Sequence, residues 1–308
     1  MAEAASTPTP ETRQRVGFIG VGLMGHGMAK NILKAGYPTT VMGHHNRKPV
    51  EDLKKRGARE AKTPKALAAA SDVIFICVTS SVQVEDLIRR KDGIAAGARK
   101  GMIIVDCSTA DPTSTLTLHK ELKKQGVTLI DAPLGNTPKE AEEGKLNAFV
   151  GSDPKTMKIV RPIIETWAEN IIHVGGVGAG HKAKLINNFV AMSYVAIYAE
   201  AYTACDAAGV DKQKFFDLVR PGGLYCGLFQ RISNWAIGKD PNAHKFAIAN
   251  STKDLRYFNN MAEASGMTSL MGHAALHNFM YAMAQGKGDE YMPRLVDVVA
   301  EVNHVARK

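Results

Sequence analysis

The run Arg15-Val-Gly-Phe-Ile-Gly-Val-Gly-Leu-Met-Gly-His-Gly-Met-Ala-Lys-Asn-Ile-Leu33 constrains the fold more than any other stretch. It reads as a short buried strand from Val16 to Ile19, a glycine turn, and an amphipathic helix. Within the turn, Gly20 permits the tight bend, Gly22 lets backbone approach a pyrophosphate, and Gly25 lets the helix pack close to the strand. The helix N-terminus then presents unpaired N–H groups and a positive dipole end to phosphates. The motif alone would be a glycine-rich turn, but the strand before it and the helix after it supply the context for dinucleotide binding. Leu23 and Met24 sit on the same turn and join the three glycines as cofactor-binding candidates.

A chain of 308 residues is long enough for two domains with cores of their own. An apolar content of 45% suits a globular protein, and no stretch reaches the 18 apolar residues of a membrane span. Residues 1–14 are small, polar and proline-bearing, and read as a disordered tail; Glu3 and Glu11 count against a transit peptide. Cys77, Cys107, Cys205 and Cys226 show no metal-ligand spacing, nor do His173, His181, His273 and His277. The expectation is reduced thiols, no metal and a cytoplasmic protein. The net charge of +9 comes from scattered Lys and Arg, which fits a solvated face attracting anionic small molecules rather than a nucleic-acid surface or a membrane.

Strand-like and helix-like segments alternate through the first half. Thr39 to Met42, Val73 to Val78, Ile103 to Asp106, Thr128 to Ala132 and Ala148 to Gly151 read as strands. Pro49 to Arg56, Pro64 to Ala70 and Pro112 to Gln125 read as helices with proline at the start, where its missing N–H is harmless. That alternation predicts an α/β fold, with a Rossmann-type, doubly wound and largely parallel sheet over residues 15–178. An all-α domain follows over 179–308. It opens with an apolar helix from His181 to Ala208, closed by Gly209. The Met-rich tract from Met261 to Met283 reads as core.

Cofactor choice is normally written at the end of the second strand, where an acid bonds the NAD ribose and arginine accommodates the NADP 2′-phosphate. This chain has Val41-Met-Gly-His-His-Asn-Arg-Lys-Pro49, with no acid until Glu51. Asn46 and Arg47 therefore predict NADP as the preferred cofactor, with NAD accepted. Lys184 is the strongest catalytic candidate, with Asn188 four residues on and on the same helical face. A lysine near a helix N-terminus can work as a general acid–base; spacing alone equally allows a solvated pair.

The glycine turn, Asp106-Cys-Ser-Thr109, Asp131-Ala-Pro-Leu-Gly135, Gly178-x-Gly180-x-x-x-Lys184-x-x-Asn187-Asn188 and Lys253-Asp254-Leu255 occur in one order. Over residues 15–300 the chain resembles the β-hydroxyacid dehydrogenases, which include 3-hydroxyisobutyrate dehydrogenase, glyoxylate/succinic semialdehyde reductases and tartronate semialdehyde reductase. The resemblance implies that Lys184 is the catalytic lysine, Asn188 its partner, and Lys253 a cofactor-proximal residue. It also implies that Val78, Thr79 and Thr109 border the nicotinamide half, that Ser108 and Gly135 lie on the substrate side, and that Phe246 lines the substrate pocket. One departure stands out. The family's Asp-x-Pro-Val-Ser-Gly-Gly, whose serine and glycines grip the substrate carboxylate, is Asp131-Ala-Pro-Leu-Gly-Asn-Thr137 here, so Gly135 stands in place of the serine and Asn136 and Thr137 in place of the two glycines. Asparagine both donates and accepts hydrogen bonds, which extends the substrate expectation from small 3-hydroxy acids and semialdehydes to 3-hydroxy amino acids.

The resulting expectation is hydride transfer between NADP(H) and such a substrate. A non-catalytic nucleotide-binding scaffold and an imine reductase are the alternatives; both tend to lack the lysine that stands at Lys184. The long helix is apolar on nearly every side, so burial by a second copy in a homodimer or homotetramer is expected as well.

Overall fold

The structure, a computed structural model, describes residues 13–306. Most of the expected tail therefore lies outside the described residues. The packing divides the chain into two compact units, one ending at Lys184 and one running from Leu185 to Lys308. The division falls inside the first turns of the long helix rather than at 178/179.

Among the described residues the first unit holds nine strands: β1 (Val16–Ile19), β2 (Thr39–Met42), β3 (Arg59–Glu60), β4 (Val73–Ile76), β5 (Ile103–Asp106), β6 (Thr128–Asp131), β7 (Leu134–Gly135), β8 (Leu146–Gly151) and β9 (Ala168–Gly175). Eight helices connect them: α1 (Gly25–Lys34), α2 (Lys48–Lys55), α3 (Pro64–Ala69), α4 (Ser81–Arg89), α5 (Ile94–Gly97), α6 (Pro112–Lys123), α7 (Pro138–Glu143) and α8 (Pro154–Ile164). The strand order is β3-β2-β1-β4-β5-β6-β8-β7, with β9 on β8. From β3 to β6 every pairing is parallel. β8 runs antiparallel to β6 and β7, so the far edge departs from the parallel pattern. β1 lies between β2 and β4: the chain runs outward from β1 through β2 to β3, then crosses back to β4 on the other side, so the strand order reverses there. The crevice outside the strand ends at such a switch point is where open α/β sheets bind ligands.

Local chemistry explains the helix starts. Thr63, Asp111 and Asp153 each cap a helix with a side-chain oxygen, and proline follows at once. Central strands are buried on both faces, as the runs Val-Gly-Phe-Ile and Val-Ile-Phe-Ile require.

The second unit is helical. α9 (Ala179–Ala208) carries the chain into it, and α10 (Lys212–Val219), α11 (Gly227–Ala236), α12 (Ile248–Ala264), α13 (Leu270–Ala284) and α14 (Leu295–Val302) follow. Gly209 ends α9 at φ 72°, with the Val210 N–H donating to the Cys205 carbonyl. Phe229 centres the core, its ring packed against Tyr198, Tyr202 and Phe216. α9 buries Leu185, Met192, Val195 and Tyr202, but Ile186, Val190, Tyr194 and Ile197 form an exposed stripe. The Met-rich tract, expected as core, faces outward in part: Met271, Met280 and Met283 of α13 are exposed, as is Met267 just before it. The helices approach closely at Gly272, where a Cβ would lie 2.3 Å from the Asn259 side chain. Gly272, Ala275 and Ala282 take the inner face together with Leu276 and Phe279.

The glycine turn separates two kinds of glycine. A Cβ on Gly25 would stand 2.0 Å from the Gly20 carbonyl oxygen and 2.9 Å from the Phe18 ring, whereas a Cβ on Gly22 would meet nothing within 4 Å. Gly25→Ala should therefore lower Tm by about 3–10 °C, the overpacking penalty of a tight core. Gly22→Ala should melt within about 2 °C of wild type. Thermal denaturation of both variants checks the contrast.

Candidate active site

The turn after β1 is built to hold a phosphate-bearing group. Gly20 sits at φ 94° with its α-carbon against the Cys77 carbonyl, where a Cβ would be 2.1 Å away. Burial, then the Asp106 charge, pushes the Cys77 thiol up to about 12, so it stays neutral at the wall of the turn. Leu23 projects into solvent, Met24 packs partly against the core, and α1 starts at Gly25. The open space at Gly22 is where backbone would meet a pyrophosphate. The residues present fit a dinucleotide.

At the end of β2 the side chains form a four-charge cluster. The Arg47 guanidinium donates to both Glu60 oxygens, at 2.6 and 2.9 Å, and to Glu51 at 2.7 Å. Lys54 approaches the same two acids at 3.3 and 3.5 Å. Asn46 turns inward on its own loop and accepts from the Lys48 N–H.

The ends of β4, β5 and β6 are wired together. The Val78 N–H donates to Ser108 Oγ at 3.0 Å, and the Ser108 N–H donates to Asp106 Oδ1 at 2.9 Å. The Thr79 N–H and hydroxyl both donate to Gln83. His181 Nε2–H donates to the Ser108 carbonyl at 3.1 Å, and its Nδ1 meets the Thr115 hydroxyl at 2.8 Å. Asp131 accepts the backbone N–H of Gly178 at 2.6 Å and of His181 at 2.7 Å. Both His181 and Asp131 are fully buried. Burial raises the Asp131 carboxyl, and the nearby His181 and the two N–H donors oppose that rise. This carboxylate holds the start of α9, and Lys184, partly buried, follows within the helix's first turns.

In the second unit, buried Asn188 donates to Asp254 Oδ2 at 2.7 Å and accepts from Asn187 at 3.2 Å. Lys253 pairs with Asp254 Oδ1 at 2.8 Å and lies over the Tyr257 ring at 5.1 Å. Phe246 packs partly buried against the helical core.

The profile described as the NAD binding domain of 6-phosphogluconate dehydrogenase matches residues 15–175, more than half of the chain. A second, described as NAD-binding of NADP-dependent 3-hydroxyisobutyrate dehydrogenase, matches residues 178–299. Similar proteins include the mitochondrial 3-hydroxyisobutyrate dehydrogenase-like 2 of Arabidopsis thaliana, 31% identical over 95% of each chain. The chain belongs to the β-hydroxyacid dehydrogenase family. The NAD-dependent L-serine dehydrogenase of Pseudomonas aeruginosa is 30% identical over 89% of this chain and 93% of that protein. Among solved structures, the Mycobacterium tuberculosis 3-hydroxyisobutyrate dehydrogenase with L-serine superposes at TM-score 0.82 with 25% identity, covering 94% of this chain and 99% of that one. Members of the family are NAD(P)-dependent oxidoreductases, and this chain has the architecture of that family.

Within that family frame, the expected substrate-side residues divide. Gly135 is buried in the β7–β8 pairing. Asn136 stands at φ 77° and its amide faces β8, donating to the Lys145 carbonyl at 3.1 Å and accepting from Asn147 at 3.4 Å. The Thr137 hydroxyl caps α7 through Glu140. Both side chains thus have protein partners that shape the loop. Ser108 is buried, with its N–H, carbonyl and hydroxyl all engaged within the protein. Thr109 is partly buried at the end of β5. Sequence reasoning assigned no role to Asp131, His181 or Asp254. Asp131 and Asp254 stood inside quoted motifs, whereas His181 carried no signal beyond its place three residues before Lys184.

Replacing Asp131 by Asn would set an NH2 against one of the two backbone donors. Leaving a buried N–H unsatisfied costs about 2 kcal/mol, so Asp131→Asn should lower Tm by about 4–8 °C. A melting curve that matched wild type would show that the helix start does not depend on this carboxylate.

Proposed function

We propose that the protein is an NADP-preferring dehydrogenase or reductase, also accepting NAD, for small 3-hydroxy acids or 3-hydroxy amino acids and the corresponding semialdehydes, with Lys184 as general acid–base. The observation that carries this reading is the anchored start of α9, where Asp131 and His181 hold the turn that leads into Lys184. A bound nicotinamide supplies the hydride acceptor in oxidation and the hydride donor in reduction. In oxidation Lys184 Nζ takes the substrate hydroxyl proton; in reduction it returns that proton to the carbonyl oxygen. Within the helical unit, Asn188 is fixed by Asp254, which also pairs with Lys253.

The substrate class is supported by the relatives, whose names include an L-serine dehydrogenase. With the Asn136 amide engaged by β8, a preference for amino over plain hydroxy acids rests on those relatives rather than on that side chain. Cofactor preference is supported by Arg47 lying over the end of β2. A cytoplasmic, reducing location fits the four free cysteines. No helix of the described residues is long and apolar enough to cross a membrane. Lys184→Ala should lower kcat by about a thousandfold while the Kd for NADP stays within about twofold of wild type. Wild-type turnover in this variant would remove Lys184 from the chemistry. A screen of cofactor reduction against 3-hydroxy acids, L-serine and L-threonine tests the substrate class.

The exposed stripe Ile186, Val190, Tyr194 and Ile197 supports self-association. A stripe of this kind on a long helix can cover itself in a twofold contact between identical helices. Light scattering at micromolar concentration should return at least twice the chain mass of 33.2 kDa. A monomeric mass would exclude the homodimer and homotetramer together.

A further inference from the structure

We infer that Glu60 is a cofactor-selectivity residue, which holds Arg47 by a two-pronged bond and so tempers binding of a 2′-phosphate at the end of β2. The inference rests on the reading that Arg47 is the group meeting that phosphate.

Three observations converge on this residue. The first is position. Glu60 lies on β3, in register with Val41 of β2, so its side chain stands beside the strand end where a dinucleotide fold places the adenosine ribose. A Cβ on Gly43, the residue after β2, would come within 2.5 Å of the Arg47 guanidinium and 3.4 Å of the Glu60 carboxylate. Both groups therefore cover the same spot. The second is geometry. Nη1 and Nη2 of Arg47 each donate to a different oxygen of Glu60, the fork-on-fork arrangement that arginine also uses for phosphate. A phosphate seeking Arg47 competes for the prongs that Glu60 already fills. Hydrogen bonding to Glu60 first, and to Glu51 second, raises the Arg47 pKa and lowers that of each acid. The third is charge. Arg47 and Lys54 are matched by Glu51 and Glu60, so the four-residue cluster is electroneutral.

An incoming 2′-phosphate carries close to two negative charges and must take up position beside two carboxylates. The 2′-hydroxyl of NAD brings no charge, and a carboxylate oxygen can accept its hydrogen bond. Glu60 therefore opposes NADP and leaves NAD undisturbed, moving the enzyme toward use of both cofactors. Glu60 outweighs Glu51 because it makes both prongs of the fork and is the less exposed of the two, at 23% against 48%.

Calorimetric titration of NADP and of NAD into wild type, Glu60→Gln, Glu51→Gln and Arg47→Ala tests this without relying on turnover. Glu60→Gln keeps the side-chain shape and removes one unit of repulsion, so the Kd for NADP should fall about three- to tenfold. The Kd for NAD should move by less than about twofold. Glu51→Gln should act in the same direction and more weakly, which keeps the test decisive if the β3 variant folds poorly. Adding salt to 0.5 M should shrink the difference between Glu60→Gln and wild type. If Arg47→Ala weakens NADP while neither glutamine variant tightens it, the role of Glu60 is overturned and the reading of Arg47 stands. If Arg47→Ala leaves NADP untouched, that reading fails and the fork loses its meaning. Equal tightening of NADP and NAD by Glu60→Gln would also overturn the selectivity role.

Discussion

A single buried carboxylate ties the sheet to the helix that follows it. Asp131, the last residue of β6, accepts backbone N–H groups of Gly178 and His181 at the start of α9. Helix starts leave such donors unpaired, and a carboxylate there also meets the positive end of the helix dipole. The arrangement leaves no room for side chains around it. A Cβ on Gly151 would come 2.5 Å from an Asp131 oxygen, and one on Gly180 would come 2.9 Å from the other. Three positions far apart in the chain therefore depend on one another. His181 carries the constraint onward, reaching back to Thr115 on α6 and to the Ser108 carbonyl after β5. Ser108 in turn holds the Val78 N–H after β4. Neighbouring strand ends and the first turn of α9 are thus one hydrogen-bonded unit, and Lys184 follows one turn beyond it.

What could be read from the amino-acid string was what is decided locally. The glycine turn, the proline-led helices and the extent of β1, β2 and β5 follow from interactions between residues close in sequence: a cap, a missing N–H, a run of apolar residues buried on both faces. The two-residue strands β3 and β7 carry no such signal, and β9 is an exposed edge whose alternation is poor. The outward methionines of α13 were illegible because the helix is apolar nearly all round, and tertiary contacts at Gly272, Leu276 and Phe279 decide which face turns inward.

The site divides along the same line. Gly20, Gly22 and Gly25 could be assigned roles from spacing. The roles of Asp131 and His181 could not, because their mutual hydrogen bond spans 50 residues and each partner looks ordinary alone. Asn136 shows what spacing alone leaves out. Its side chain invited a substrate role, but the partners that engage it, Lys145 and Asn147, become neighbours only when β7 pairs with β8. A polar residue in a motif position is a ligand candidate only after its neighbours across the sheet are known.

Net charge misleads in a similar way near the glycine turn. A chain of +9 draws anions at long range, yet its cations close to the turn are engaged by carboxylates. His26, one residue after Gly25, has Nδ1 2.6 Å from Glu142 on α7 and Nε2 2.9 Å from Asp52 on α2. Lys30 shares Glu142, and Arg56 shares Asp52, whose carboxyl is held down to about 2 by Arg56 first and His26 second. The first turn of the phosphate-facing helix is thereby braced against α2, which follows the Arg47 loop, and against α7, which follows the Asn136 loop. Local pairing, rather than the surplus of positive charge, decides how rigid those loops are and which groups an arriving anion must displace.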